Sequence, residues 1–156
     1  MRIRRITATP GASGFFFDDQ RAIRAGVTAD GFAYEGEPVT PGYERVREPG
    51  EALLVELELA NGRVVRGDCA AVQYSGVGDR DPFFRAREYV DVVEGPVADA
   101  LVGRDAAAFG DAVEALSAVR IDGERPHTAV RDGVSQALLA AAAAARRETR
   151  TRVLRD

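Results

Sequence analysis

The strongest constraint on the fold is a pair of hydrophobic runs joined by Asn61-Gly62. The first run keeps an apolar residue at every second position from Leu53 to Leu59, and the second run begins at Val64-Val65. A period of two places these side chains on one face of a β-strand. Asn-Gly between two such runs is typical of a type I′ turn, which needs a positive φ at both central positions. The sequence therefore predicts an antiparallel hairpin.

The residues before this hairpin predict short strands and irregular structure. Ile3 and Ile6 indicate a short, half-exposed strand that ends at Pro10-Gly11. Residues 14–50 are rich in glycine, proline and aromatic residues, which predicts a long ordered loop with short strands. Loops of this length are usually functional or disordered, and the run Phe15-Phe16-Phe17 argues against disorder.

The second half of the chain predicts helices. Asp81 is a candidate cap with Pro82 in the first helical position, and this helix should reach about Val93 before Gly95-Pro96 breaks it. A second helix should start after an Asp105 cap. A third should run from about 126 to 147, with an apolar stripe at helical spacing formed by Val130, Val134, Ala137, Leu138 and Ala141.

These patterns together predict one α+β domain over residues 1–156. Residues 1–80 should form an antiparallel β-meander with long loops, and residues 81–156 should form a three-helix half. A length of 156 residues suits a single domain.

Composition excludes several classes of function. The net charge is −4 and tryptophan is absent, which disfavours a nucleic-acid-binding surface. The longest apolar stretch, residues 137–145, falls well short of the roughly 20 residues that cross a bilayer. The first nine residues mix arginine with isoleucine and lack the apolar core of a signal peptide. We therefore expect a cytoplasmic domain with no membrane or nucleic-acid partner.

Side chains that carry chemistry are scarce. All 21 basic residues are arginine, so the chain offers no lysine base, Schiff base or P-loop lysine. Cys69 and His127 are the single cysteine and histidine, whereas a zinc site of these residue types needs about four ligands. Cys69 is expected to be a small buried hydrophobe. His127, at a predicted helix start, is expected to be solvated or bonded to the helix end.

Two further motifs have both a functional and a structural interpretation. The carboxylate pairs Asp18-Asp19 and Asp79/Asp81 could hold Mg²⁺ or share a proton, but loop carboxylates more often form turns and cap helices. Gly76-Val77-Gly78 could suggest a phosphate-binding loop, but the Gly-Lys-Ser/Thr ending of a P-loop is missing.

Residues 67–76 combine small side chains with Gln73, Tyr74 and Ser75 at the end of the predicted hairpin. Small residues let the backbone approach a ligand or another domain closely, and the Gln73 amide can both donate and accept hydrogen bonds. A buried loop whose polar groups satisfy the backbone explains the same residues. The residues alone leave both interpretations open.

Several multi-residue blocks of this sequence together resemble one known family. They cover nearly the whole chain and are GFFFDDQ (14–20), DGF (30–32), PVTPG (38–42), VR (46–47), GDCAAVQYSGVGDRDP (67–82), RIDG (120–123), HTAVR (127–131) and SQALL (135–139). In this order they resemble the N-terminal capping domain of methylaspartate ammonia-lyase, a member of the enolase superfamily. Val77, Asp79 and the alanine run 140–145 depart from that pattern.

The resemblance implies a reaction and a division of labour. Members remove ammonia reversibly from 3-methylaspartate to give mesaconate, with Mg²⁺ and a monovalent cation. The metal carboxylates and the lysine base belong to a C-terminal (β/α) barrel, so the resemblance implies no catalytic and no metal-ligating residue in this chain.

The same resemblance assigns roles on the cap side. Gln73 would contact the small amino-acid substrate, and Phe17, Asp18, Tyr74 and Ser75 would belong to the loops that close the site. The resemblance implies that this chain contains no barrel, since the family's barrel would begin near residue 156. The partner would be a separate barrel subunit or a missing C-terminal domain. Mg²⁺ would be bound by that barrel.

Two alternatives from other classes remain. The first is a non-catalytic binding or scaffolding protein that reuses the cap fold. The second is independent catalysis by this chain, which one histidine and no lysine make the least favoured hypothesis.

Overall fold

A three-stranded antiparallel sheet in the order β1-β4-β5 forms one layer of the structure. The computed structural model describes residues 1–71 and 81–155. Its first half contains β1 (Ile3–Asp18), α1 (Gln20–Arg24), β2 (Thr28–Asp30), β3 (Ala33–Glu35), β4 (Arg47–Leu59) and β5 (Val64–Ala70). Strands β2 and β3 pair with each other as a separate two-stranded ribbon.

The helical elements follow residue 81. A 3₁₀ turn (Ala86–Tyr89) leads into α2 (Val90–Val92), a π turn (Val93–Val97) and α3 (Ala98–Leu101). The remaining helices are α4 (Phe109–Ala118), α5 (Thr128–Arg146) and α6 (Arg150–Val153). The mixed α+β class is confirmed, and the described residues form no barrel, as predicted. No helix in the described ranges is both long enough and apolar enough to span a bilayer.

The predicted hairpin is confirmed as β4 and β5, but the type I′ turn is wrong. Of the two central residues only Gly62 has a positive φ, at 82°. The Gly62 N–H donates to the Leu59 carbonyl (2.8 Å), and the Leu59 N–H donates to the Arg63 carbonyl (2.8 Å). These bonds define a hairpin loop that is longer than a two-residue type I′ turn, and its last residue, Gly62, has a left-handed backbone conformation. The Ala60 N–H also donates to the Arg2 carbonyl (2.9 Å), which ties the loop to the start of the chain.

Strand β1 is much longer than predicted, because Pro10-Gly11 does not end it. Pro10 pairs with Leu53 in register, and the strand continues to Asp18 after an irregularity between Ala12 and Phe16. β1 is an edge strand, where proline is tolerated. The Ala8 N–H points away from β4 to the Glu94 carboxylate (2.9 Å), so the Pro10 nitrogen, two residues on, lies on the same outer side.

The predicted loop 14–50 is correspondingly shorter. Its two ends belong to β1 and β4, and α1 with the β2-β3 ribbon lies between them. The predicted short strands are present, but the regular sheet reaches further into the segment than local composition indicated.

The first predicted helix begins later and ends later than expected. It begins at Ala86 because the Glu51 carboxylate accepts the Ala86 N–H (2.7 Å), whereas Asp81 bonds elsewhere. Gly95-Pro96 does not break it, since the chain passes through as a π turn. Proline lacks the N–H of an ordinary helical turn, and a local π turn accommodates that loss.

The other two predicted helices are present as α4 and α5, but the predicted Asp105 cap of α4 is wrong. Helix α4 begins at Phe109 with Ala108 as its N-cap residue, whereas Asp105 accepts the Ala107 N–H (3.1 Å) and pairs with the N-terminal amine (2.7 Å).

The predicted α5 stripe is buried at every position, and Leu53, Val55, Leu57 and Leu59 of β4 are fully buried as well. The core therefore lies between the sheet and the helices that cover one of its faces.

Helix α5 lies in backbone contact with β5 at a pair of glycines. A Cβ atom on Gly67 would stand 2.0 Å from the Gly133 carbonyl oxygen and 2.8 Å from the Ala137 nitrogen. A Cβ atom on Gly133 would stand 2.5 Å from the Cys69 nitrogen. Neither position has room for a side chain, so the distance between helix and sheet depends on both glycines.

Replacing Gly133 by alanine should destabilise the protein, although alanine is the better helix former. The added methyl group must push α5 away from β5, and overpacking of this kind costs about 1–3 kcal/mol. Urea unfolding would measure the loss. The matched control is Gly110→Ala in α4, where a Cβ meets nothing within 4 Å. It should be neutral or stabilise by up to about 1 kcal/mol, and equal effects of the two changes would contradict the contact.

Candidate functional site

The predicted substrate contact Gln73, with Tyr74 and Ser75, lies outside the described residues, as do Asp79 and Gly76-Val77-Gly78. The structure does define the two chain ends that flank residues 72–80. One is the end of β5 with Ala71, and the other is the connection from Asp81 to Arg85 that precedes the 3₁₀ turn.

The first flanking end is held by α5. Cys69 is fully buried, and its thiol lies 3.7 Å from the Val130 carbonyl oxygen. Burial raises the pKa of the Cys69 thiol to about 12, so the group is neutral and unreactive. The prediction of a small buried hydrophobe is confirmed. Gly67 has no side chain, and this lets helix α5 of the same chain approach β5 closely. At this end of residues 67–76, the small residues therefore serve internal packing.

The second flanking end is held by the same helix. Asp81 Oδ1 accepts the Thr128 N–H (3.1 Å), so Asp81 caps α5 and not a helix of its own, which corrects the prediction. Partial burial alone would raise the pKa of Asp81, but the hydrogen bonds from Thr128 outweigh it and hold that pKa below its usual range.

His127 is the N-cap residue of α5. Its Nδ1 accepts the Ala129 N–H (3.0 Å), and its Nε2 lies 3.2 Å from the Pro82 carbonyl oxygen. A carbonyl only accepts, so the arrangement requires the neutral imidazole with the proton on Nε2. The side chain is 6% exposed, and burial lowers the pKa of His127 below 6.5. The interpretation of His127 as bonded to the helix end is confirmed.

Phe17 is a core side chain of β1, not a loop residue. Its ring meets the Phe83 ring edge-on at 5.3 Å, and Phe83 also packs against Tyr43 at 4.6 Å. The position of Phe17 therefore differs from the expected loop. Its predicted role in closing the site stays a prediction, but the structure brings it against the segment that follows residue 80.

Asp18 is paired with Arg47. Both oxygens accept from the guanidinium, at 2.7 Å from Nε and 2.7 Å from Nη2. This bidentate hydrogen bond raises the pKa of Arg47. Three rings also surround the guanidinium, with centroids 5.9, 5.3 and 5.0 Å away for Phe16, Phe32 and Tyr34.

We call the group of Phe16, Phe32, Tyr34 and Arg47 the aromatic surface. Phe16 and Phe32 meet edge-on at 4.9 Å, yet they are 41% and 67% exposed. Large apolar rings exposed side by side at the surface are typical of a contact site for another molecule or domain. Sequence reasoning missed the role of Arg47, because its ring partners lie 13 to 31 positions away and follow no short motif.

Asp19 is fully buried and serves as a structural acceptor. Its carboxylate accepts the N–H groups of Arg21 and Ala22 at the start of α1. It also accepts the N–H groups of Val39 (2.7 Å) and Thr40 (2.8 Å) and the Thr40 hydroxyl (2.6 Å). For this carboxylate the capping interpretation is confirmed.

A metal centre has no support in the described parts of the chain. Within residues 1–71 and 81–155, no three His, Cys, Asp or Glu side chains converge in a way that could hold a metal ion. Asp18 is engaged by Arg47, and Asp19 by backbone donors.

Replacing Asp19 by asparagine should destabilise the protein strongly, by about 3 kcal/mol or more, because either placement of the amide turns a buried NH₂ towards N–H donors. Thermal and urea unfolding would measure the loss. Asp30→Asn, at an exposed position in β2, is the control and should change stability by less than about 0.5 kcal/mol. A near-neutral Asp19→Asn variant would contradict the acceptor role.

Comparison with known proteins identifies the family. The family model for the methylaspartate ammonia-lyase N-terminus matches residues 1–156. The chain belongs to the methylaspartate ammonia-lyase family. The enzyme of that name from Haloarcula marismortui is 61% identical over 159 residues, which cover 100% of this chain and 38% of that protein.

Solved structures of family members show the same fold. The β-methylaspartase of Clostridium tetanomorphum, solved as a Mg complex, is 47% identical with a TM-score of 0.93, over 100% of this chain and 38% of that one. The Citrobacter amalonaticus enzyme, solved with (2S,3S)-3-methylaspartic acid, is 49% identical with a TM-score of 0.91, over 99% of this chain and 38% of that one. The prediction of the family's capping domain is confirmed, and the chain spans 38% of the length of these relatives.

Proposed function

We propose that this chain is the capping component of a cytoplasmic, Mg²⁺-dependent ammonia-lyase that converts 3-methylaspartate to mesaconate and ammonia. The chemistry would take place on a (β/α) barrel, supplied by a separate subunit or by a further domain. The observation that carries the proposal is that the whole chain matches the N-terminal part of these lyases and corresponds to 38% of their length.

The residues present also support this division of labour. The proton next to a carboxylate is weakly acidic, so its removal needs a strong base and a cation that stabilises the resulting enolate. The chain contains no lysine, and its described residues offer no fit for Mg²⁺. We therefore assign the base, the Mg²⁺ ligands and any monovalent-cation site to the barrel, and we derive no chemical step through a metal in this chain.

In this proposal the capping domain covers the substrate site on the barrel. Gln73 would contact the substrate through its amide, which can donate to a carboxylate and accept from an ammonium group. Phe17, Asp18, Tyr74 and Ser75 would belong to the segments that close the chamber. The Phe17–Phe83 contact supports a role for Phe17 in this closure, because it brings Phe17 against the described residues that follow residue 80.

The aromatic surface supports the presence of a docking partner. Phe32 keeps two thirds of its surface exposed, although its ring lies 5.3 Å from the Arg47 guanidinium. Arginine and aromatic side chains are enriched in the centres of protein interfaces. We assign this surface to contact with the barrel.

A reconstitution experiment tests the proposal. The chain would be mixed with the part of the Haloarcula marismortui enzyme that lies beyond the matched region, and mesaconate formation from 3-methylaspartate would be followed by ultraviolet absorbance. We expect activity from the mixture and none from this chain alone, since the base and the metal ligands are supplied by the barrel.

The Haloarcula enzyme's own N-terminal part provides the positive control in the same mixture. Full activity of the barrel fragment by itself would overturn the capping role. Activity restored by the control but not by this chain, with no binding between this chain and the barrel, would favour the scaffolding alternative.

A further inference from the structure

A cleft of about 500 Å³ lies between the β4-β5 hairpin and the C-terminal end of α5. It is lined by four arginines, which are Arg63 from the hairpin loop, Arg66 from β5, Arg147 from the end of α5 and Arg150 from α6. Glu148 is the single acidic residue among the described residues that line it. The chain as a whole carries a net charge of −4, so the charge of this cleft is opposite to that of the molecule. We call it the arginine cleft.

The rest of the lining of the arginine cleft is aliphatic. Val65 and Ala140 are buried, Ala143 and Ala144 are half-buried, and Val64 is 43% exposed. Alanine side chains are short and leave room for a ligand beside the helix. The described lining includes no aromatic ring on which a nucleobase could stack. The cleft therefore combines guanidinium groups with a small aliphatic surface.

Most of these guanidinium groups are available to bind an anion. In the part of the chain that the structure describes, those of Arg63, Arg147 and Arg150 take part in no hydrogen bond and no ion pair. Arg66 differs, because its Nε and Nη2 lie 2.8 and 2.7 Å from Oε1 of Glu56 on the neighbouring strand. That pair orients one arginine of the cleft, and the other three keep their donors unoccupied.

The end of α5 alone does not explain this cluster of arginines. Cations are favoured in the last turn of a helix by its macrodipole, which accounts for Arg147. Arg63 and Arg66 come from the hairpin and the sheet, where this preference does not apply. Arg147 also has a left-handed backbone, with φ 56° and ψ 42°, at a helix end where glycine is preferred. An arginine therefore stands where the backbone favours a residue with no side chain.

We infer that the arginine cleft binds a small organic phosphate with an aliphatic body. A phosphate group carries a charge of about −1.5 to −2 and three acceptor oxygens, so it can accept from several guanidinium groups at once. A carboxylate is already matched by a single guanidinium fork. The cleft volume of about 500 Å³ suits a small molecule. The inference is independent of the proposed function, since every residue that carries it belongs to this chain.

NMR titration of the nitrogen-15-labelled chain tests the site, with n-butyl phosphate as the probe at pH 7.5 and constant ionic strength. We expect saturable shifts of the backbone amides in residues 63–66 and 140–150, which contain the lining residues. Inorganic phosphate should shift the same amides with about tenfold weaker affinity, because it lacks the butyl group that would cover the aliphatic surface. Shifts that do not saturate, or that lie elsewhere, would overturn the inference. Equal affinity for both probes would indicate an adventitious ion only and would also overturn it.

Two variants and a matched control test the role of the arginines. Arg63→Ala and Arg147→Gly should each weaken n-butyl phosphate binding about tenfold, the effect of losing a charge-assisted hydrogen bond. Glycine suits the left-handed backbone at residue 147, so Arg147→Gly should keep its stability to urea, and its weaker binding then reports the lost guanidinium.

Arg24→Ala is the control, because it removes the same charge from an exposed position at the end of α1. It should change the affinity by less than about twofold, since salt screens a charge outside the cleft. An equal loss in all three variants, or unchanged binding in both cleft variants, would contradict the site.

Competition experiments separate this ligand class from other anions. Succinate at the same ionic strength should bind about tenfold more weakly than n-butyl phosphate, because each carboxylate engages one guanidinium. A single-stranded oligonucleotide lacks an aliphatic body and should displace n-butyl phosphate only at a higher phosphate concentration. Tighter binding of succinate or of the oligonucleotide than of n-butyl phosphate would overturn the inference and assign the cleft to that anion. None of these measurements involves lyase activity, so their outcome is distinguishable from failure of the proposed function.

Discussion

The backbone contact between Gly67 and Gly133 sets the position of α5, and the other features of the candidate site depend on that helix. Two chain segments approach so closely that neither has room for a Cβ atom. Cores tolerate changes of shape in side chains better than displacement of backbone, so this contact fixes both the separation and the register of helix and sheet. The N-terminus of α5 is thereby held beside the end of β5.

Carboxylates in this domain act mainly as structural acceptors. Asp19, Asp81 and Glu51 each accept backbone N–H groups that begin a helix or a turn, and Glu94 accepts the Ala8 N–H on the outer edge of β1. Glu48, almost fully buried, accepts the Glu44 N–H and lies 2.7 Å from Arg85. These acceptors replace the hydrogen bonds that irregular connections cannot make internally. Carboxylates used in this way are not available to hold a metal ion.

Local patterns predicted the parts of the fold that local physics determines. The period-two run of β4 and the helical stripe of α5 each bury the expected side chains, and Cys69 is buried as expected of a free cysteine. The multi-residue blocks that resemble the methylaspartate ammonia-lyase family, taken in their order along the chain, predicted the capping domain. Gly67 was expected to favour a close approach, but its partner Gly133 lies 66 positions further along, which no local pattern specifies.

The wrong predictions also arise from contacts between residues that are distant in the sequence. Pro10 and Gly95-Pro96 were expected to end regular structure, yet an edge strand and a π turn accommodate them. The start of the helix at Ala86 depends on Glu51, 35 positions earlier. Arg47 gains its role from rings that come together only in the folded chain. Tertiary contacts determine where these elements begin and end and which rings surround Arg47. Local patterns in a single sequence do not specify such contacts.

The central claim is that this domain closes a chamber whose reactive groups belong to a barrel, with the aromatic surface against that barrel. Hydroxyl-radical footprinting of the chain, with and without the barrel fragment, measures this contact directly. The account predicts that oxidation of Phe16, Phe32 and Tyr34 falls severalfold in the mixture, while exposed Val102, far from that surface along the chain, keeps its rate. Unchanged oxidation of the three rings in a mixture that forms mesaconate would contradict it.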